Sequence, residues 1–306
     1  MSTTVDWRSD TVGGFHSSKG QKGTLALALL VLLLRPAAGA PQGRVAAIRS
    51  VIDGDTAVLE DGRRIRYLGI NAPERGEAYF AEATAVNRRL TEGRRVRLEP
   101  DQVPEDRYHR LLFYVYVDGE MVNARLIEEG LAHLLVIPPN LRHYDRFVQL
   151  QRQARAARRG IWRHLAGPLK ITSLEGNPPG DDRSDPTGEY IRIANVIDEM
   201  VEIRGFVLTD RYGHRYTFPA LSLKPGYSVL LLSGRGIDLT DPRKQIVLYW
   251  QSEGPIWNND GDTATLRAPD GALVDVWEYR GRARTRKTQE GARFGGHRSS
   301  VIGRRN

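Results

Sequence analysis

Two Asp-Gly dipeptides eight positions apart, Asp53-Gly54 and Asp61-Gly62, restrict the fold of this chain more than any other feature. Asp-Gly is a preferred pair in tight hairpin turns, and each pair stands between runs rich in valine, leucine and isoleucine. Val45 to Val51, Thr56 to Leu59 and Arg63 to Ile70 therefore read as three strands of a β-meander. Past Pro73 the period changes: Phe80, Ala83, Val86 and Leu90 share one face of a helix that Gly93 stops. Strands are expected again at Arg95 to Glu99 and Leu111 to Val117. Helices are expected at Val122 to Glu129 and Tyr144 to Arg159, the second burying Phe147, Leu150 and Ala154. About five strands with helices between them fit a small closed β-barrel of the OB type.

The same stretch concentrates chemistry. Between Val51 and Glu74 lie Asp53, Asp55, Arg66 and Glu74, and Arg110 follows in the next strand region. Calcium takes oxygen ligands from carboxylates, carbonyls and water, which makes Asp55 a direct ligand candidate and Asp53 a supporting or structural one. The competing reading of Asp53-Gly54-Asp55 is a plain turn. Arg66 can grip a phosphate with two parallel bonds, and Arg110 can answer the extra charge of a five-coordinate phosphorus; either alone would also suit a surface salt bridge. Glu74 is placed to orient or deprotonate water, or, out of this context, to start a helix after Pro73.

The segments VIDGDT, IRYLGINAPE, YFAEA, DRYHRLLFYVY and DGEMVNARLIEEGLA, closed by GIW, resemble the staphylococcal nuclease (thermonuclease) family over nearly all of Arg44 to Trp162. The resemblance implies an OB-type barrel with helices and a calcium-dependent, sugar-nonspecific phosphodiesterase that cuts DNA and RNA to 3′-phosphate ends. It assigns Asp55 to the metal aspartate, Arg66 and Arg110 to the phosphate arginines, Glu74 to the general base and the backbone carbonyl of Ala72 to a metal ligand. Asn71 stands where the best-known members carry a second metal aspartate, so weaker calcium binding is expected. On the substrate side Tyr108 matches a tyrosine near the phosphate, His109 replaces a glycine, and the base-stacking aromatic expected near Val136 is missing. His109 and His143 are expected as solvated groups beside the cleft.

After a short join at Leu165 to Leu169 the helical period disappears. Runs at Leu169 to Leu174, Tyr190 to Ala194, Val201 to Ile203, Phe206 to Thr209, Tyr216 to Phe218, Ser228 to Ser233, Gln245 to Trp250, Thr263 to Arg267 and Leu273 to Glu278 alternate with Gly, Pro, Asn and Asp turns. Many short strands at this spacing make an all-β sandwich. The motifs GEYIRIANV, FPALSLKPGYSVLLLSG and WNNDGDTATLRAPDGALVDVWEY resemble the lamin-tail domain, which implies an immunoglobulin-like sandwich. The Asn258-Asn259-Asp260-Gly261-Asp262 cluster reads as a turn scaffold in preference to a cation site. The target of such a domain is not legible in the sequence.

The chain thus reads as mainly β, with a nuclease-like barrel at 44–165 and a sandwich at 168–280. It has no cysteine, which removes disulfides, thiolate metal sites and thiol nucleophiles. Arg44 to Arg163 holds 21 Arg, no Lys and 17 acidic residues, whereas 166–280 holds 12 basic and 17 acidic ones. The barrel, not the sandwich, therefore carries the charge suited to nucleic acid; biased codon usage is another source of the missing lysine. Residues 281–306, with 8 basic groups against 1 acid and little apolar content, read as a disordered basic tail, either a merely solvated terminus or an arm that attracts nucleic acid. At the other end, Lys19 and Lys22 precede the apolar run Thr24 to Leu34 and the small-residue site Ala37-Ala38-Gly39-Ala40. These are the parts of an export signal over 1–40, and 11 apolar residues fall short of the roughly 20 that span a bilayer. A secreted or envelope location is expected, with no stable span after cleavage; an uncleaved anchor is the alternative. Two further functional readings compete with the nuclease: a barrel that binds nucleic acid without cutting it, and a surface or matrix protein led by its sandwich.

Overall fold

The computed structural model describes residues 43–280 except 107, 166 and 181–185. The expected signal at 1–40 and basic tail at 281–306 lie outside the described residues. The described residues fall within one compact unit.

The barrel begins with β1 (Arg44–Val51), β2 (Thr56–Leu59), β3 (Arg64–Tyr67) and the short β4 (Ile70–Asn71). Helix α1 (Phe80–Thr91) follows, then β5 (Arg95–Glu99), β6 (Leu111–Val117), β7 (Glu120–Met121), α2 (Val122–Glu128), β8 (His133–Leu134) and α3 (Tyr144–Ala156). Strands pair in the order β3-β2-β1-β5-β6, and β3 closes the circle by pairing in parallel with β6. Five strands closed in this order are the barrel expected from the sequence. Its interior is apolar, with Ile48, Leu59, Ile65, Tyr67, Leu98 and Val115 almost wholly buried. α1 carries Glu82 in its first turn and Arg88 and Arg89 in its last, matching the helix dipole at both ends.

The strand expected from Arg63 to Ile70 is in fact two. Gly69, in the left-handed region at φ 76°, breaks it, so that β3 stays in the barrel and β4 pairs with β8 instead. That break brings Asn71 out to the barrel's rim.

The remaining described chain is all β: β9 (Leu169–Glu175), β10 (Tyr190–Asn195), β11 (Val201–Glu202), β12 (Val207–Thr209), β13 (Arg215–Thr217), β14 (Ser222–Leu223), β15 (Ser228–Leu232), β16 (Ile246–Tyr249), β17 (Gly261–Arg267) and β18 (Leu273–Arg280). Two four-stranded sheets, β16-β15-β10-β9 and β13-β12-β17-β18, form an immunoglobulin-like sandwich. The 258–262 cluster is a turn scaffold: the buried Asp262 accepts from the backbone of Asn258, Thr263 and Arg211 and from the Asn258 amide. Barrel and sandwich share one apolar core, with a satellite of Leu135, Ala154, Trp162, Ala194 and Val196 between α3 and β10.

Candidate active site

The β1–β2 turn places Asp55 under the barrel rim. Asp53 Oδ1 accepts the Asp55 N–H at 3.0 Å, which fixes the turn and turns the Asp55 side chain inward. Asp55 is buried. Its Oδ2 accepts the Ala72 N–H at 2.6 Å, and its Oδ1 accepts from the Thr56 hydroxyl at 3.1 Å and faces Arg66 Nε at 3.1 Å. Burial raises its pKa, Arg66 opposes that rise, and the Asp53 charge adds to it.

Arg66 lies on β3 among inward-facing neighbours Ile65 and Tyr67, so strand alternation sends its side chain to the other face. Its guanidinium bridges Asp55, the Tyr67 carbonyl at 2.6 Å and Asn71 Oδ1 at 3.0 Å. Asn71 is buried and its amide nitrogen lies 3.4 Å from Nε2 of His133. The other His133 nitrogen faces the Leu134 carbonyl at 3.0 Å, so Nδ1 carries the proton and Nε2 accepts from Asn71. Burial holds the His133 pKa down to about 4, keeping that imidazole neutral.

Glu74 stands at the mouth, three residues past Asn71, in an exposed turn. Crowding around its carboxyl, then the charges of Asp55 and Asp53, push its pKa up to about 7. Three carboxylates thus share a site with one directly bonded arginine, a local deficit of positive charge. Among the described residues no three carboxylates or imidazoles converge tightly enough to cage a metal unaided. One buried carboxylate with an amide oxygen, a carbonyl and solvent is nonetheless a hard-oxygen set that suits a calcium ion retaining waters.

The other expected site residues are placed less directly. Arg110 precedes Leu112, the register partner of Arg66, by two positions, so alternation puts Arg110 on the same barrel face as Arg66. Its guanidinium is bonded to Asp106 at 2.8 Å and stands over the Tyr108 ring; among the described residues its ion pair is with Asp106, not with Asp55. The Tyr108 hydroxyl meets that of Tyr190 on the sandwich. His109 is well exposed and pairs with Glu105 at 2.7 Å. Its φ of 59° lies in the left-handed region, which favours glycine over a residue with a Cβ. His109→Gly is therefore expected to raise stability by up to about 1 kcal/mol, read as an increase in melting temperature. His143 is not the solvated group expected: it is largely covered, stacked edge-on against Tyr114 at 4.4 Å and within 3.3 Å of the Tyr116 hydroxyl. Val136 is buried, and its N–H donates to the Gly226 carbonyl of the sandwich at 2.9 Å.

Two groups escaped the sequence reading. Asn87, wholly buried on α1, donates to the Asp53 carbonyl at 2.9 Å and accepts from the Tyr67 hydroxyl at 2.8 Å, tying helix, turn and barrel together. His133 supports Asn71 from below. The signal for Asn87 was available, since an amide sits among Val86 and Leu90 on an otherwise apolar helix face; a lone histidine in LAHLLV carries none.

Fold and site together define an OB-type barrel whose rim gathers an arginine and hard-oxygen donors. The profile described as "Staphylococcal nuclease homologue" matches residues 64–164, and that of the "Lamin Tail Domain" matches 164–281. The thermonuclease of Staphylococcus hyicus is 37% identical over 121 residues, 37% of this chain and 72% of that protein. The thermonuclease of Staphylococcus intermedius is 35% identical over 130 residues, 40% of this chain and 77% of that protein. Endonuclease YncB of Bacillus subtilis is 36% identical over 122 residues, 36% of this chain and 58% of that protein. The chain belongs to the staphylococcal nuclease family, with a lamin-tail domain joined to its nuclease-like barrel.

Proposed function

We propose that this protein is an exported, calcium-dependent nuclease that hydrolyses DNA and RNA and leaves 3′-phosphate ends. The observation that carries the reading is the bonded cluster Asp55–Arg66–Asn71 with Glu74 beside it. Phosphate contacts hold the backbone and carry no base information, and the buried Val136 offers no aromatic face for stacking, so low sequence specificity follows. Arg66 orients the scissile phosphate, and Arg110, on the same face, turns from Asp106 to the opposite oxygen. Glu74 takes one proton from the attacking water as its oxygen bonds to phosphorus. The P–O5′ bond breaks and the 5′ oxygen picks up a proton from solvent. Asp55, Asn71 and the Ala72 carbonyl would hold calcium, with Asp53 fixing the turn behind them; when bound, the ion supplies charge neutralisation at the phosphate.

Cleavage of single- and double-stranded DNA and of RNA, with calcium and with chelator, tests this reading. Products ending in 3′-phosphate support it; no cleavage at any calcium level, with DNA still bound, would hand the case to a binding module. Asn71 makes a separate prediction. Asn71→Asp adds a carboxylate to the cation site and should lower the calcium midpoint by about tenfold, and an unchanged midpoint refutes a role for Asn71 in calcium affinity. Export rests on the run Thr24 to Leu34 and the site at Ala40, and the N-terminal residue of the protein recovered from culture medium checks it.

A further inference from the structure

Glu77 belongs to the turn that presents Glu74, yet the proposed chemistry leaves it no task. Its Oε2 accepts the Glu74 N–H at 2.7 Å, and its own N–H donates to the Glu74 carbonyl at 2.9 Å. The turn from 74 to 77 is thus closed twice, once by backbone and once by a side chain. The remaining carboxylate oxygen, Oε1, is ion-paired with Lys170 on β9 of the sandwich, in a half-covered setting. Lys170 stands 6.0 Å from the Trp277 ring centroid. Its charge also draws down the pKa of the partly buried Asp275, which burial raises, while Asp275 Oδ2 anchors the Ile171 N–H at 2.7 Å. Lys170 therefore separates two carboxylates, Glu77 and Asp275, that would otherwise repel each other.

Behind the turn lies a cavity of about 150 Å³ lined by Ala72, Pro73, Glu77, His133, Leu165 and Lys170. An unbraced turn has room to fall back into it. The sandwich also packs against β8. Gly226, at φ 74°, approaches Leu134 so closely that a Cβ there would lie 2.3 Å from its Cγ. Leu134 pairs with Ile70, and His133 with Asn71, across β4 and β8. Gln151 completes that support by accepting the Leu134 N–H at 2.6 Å and donating to the Val196 carbonyl at 3.2 Å.

We propose that Lys170 is a positioning residue for the Glu74 turn, acting through Glu77, so that the sandwich completes the active site of the barrel. The proposal rests on the nuclease reading for its kinetic consequence, though not for the brace itself. An aim error of an ångström at a reacting group can cost up to about a hundredfold in rate, while substrate binding through Arg66 and Arg110 is untouched by the turn. In the full chain, Lys170→Met should lower kcat on single-stranded DNA by about tenfold with KM changed less than about twofold. Lys170→Arg should restore most of that loss. Glu77→Gln with Lys170→Met should be no worse than the worse single variant, because both cut one bridge. Amide hydrogen exchange in a peptide spanning 73–80 should quicken in Lys170→Met while the barrel strands exchange as before. A wild-type kcat in Lys170→Met, a loss confined to KM, or multiplying effects in the double variant would overturn the proposal. If the parent chain cuts no nucleic acid, the nuclease reading fails by itself; unchanged exchange across 73–80 would then still overturn the brace, and faster exchange would uphold it.

Discussion

Glu74→Gln is expected to lower calcium-supported cleavage of single-stranded DNA by about a thousandfold, within the range that a positioned general base contributes, while the chain still folds and still binds DNA. The glutamine keeps the shape of the side chain and loses only the ability to accept a proton from water. The hydrogen bond that Glu74 makes to Glu77 comes from its backbone N–H, so the turn survives the substitution. Glu74 is exposed, and it feels the like charges of Asp55 and Asp53, so neutralising it removes repulsion from the site. The variant's melting temperature should therefore be no lower than the parent's. The measurement is turnover at saturating calcium beside DNA affinity in the absence of turnover. Retention of more than about a tenth of the rate would remove Glu74 from the role of base, and loss of DNA affinity in step with the rate would mean that it acts in binding.

The fold was legible where periodicity was long and local. Seven-residue β6, the eight-residue β1 and thirteen-residue α3 announce themselves by alternation or by a repeated apolar face. The two-residue strands β7, β8 and β14 do not, because two positions cannot display a period. The residues of the Asp55 cluster were legible because the chemistry lies within one segment and matches a family motif. What its supports bond to was not, because those contacts are long-range: Asn87, whose place on an apolar helix face was visible, reaches Asp53 over 34 residues, His133 reaches Asn71 over 62, and Lys170 reaches Glu77 over 93. Gln151 shares the buried face of α3 with Phe147 and Ala154, so the helical pattern buries its amide without saying what it bonds, and its purpose emerges only when β8 and the sandwich are seen on either side. Composition had also suggested a sandwich with little part in gripping nucleic acid. Its acidic balance holds, but Lys170 and Gly226 work on the barrel by touching the cleft's supports, a role that net charge does not reveal.

The two glycines that first defined the fold differ in kind, and the difference yields the second large effect. Gly62 takes φ 85° with open space around its Cα, so it serves the hairpin's backbone. Gly54 is absent from the left-handed set and is required instead by crowding: a Cβ there would lie 2.4 Å from the Ala72 Cβ and 2.8 Å from the Ala83 Cβ. Neither neighbour is the end of a flexible side chain, so Gly54→Ala must push apart the β1–β2 turn, the Ala72 loop and α1. Overpacking of this kind costs about 1 to 3 kcal/mol, a fall in melting temperature of roughly 2 to 10 °C for a chain of this size. The loss of activity should exceed that of stability, because Ala72 is bonded to Asp55 and sits between Asn71 and Glu74. A displacement of that loop by an ångström separates the cation ligands from the base and should lower turnover by about a hundredfold at temperatures where the variant is fully folded. Adding Ala72→Gly removes the nearer clash and should recover part of both losses. A Gly54→Ala chain with parental turnover and melting temperature would show that the loop has slack, and would also weaken the case that its position needs bracing from Lys170.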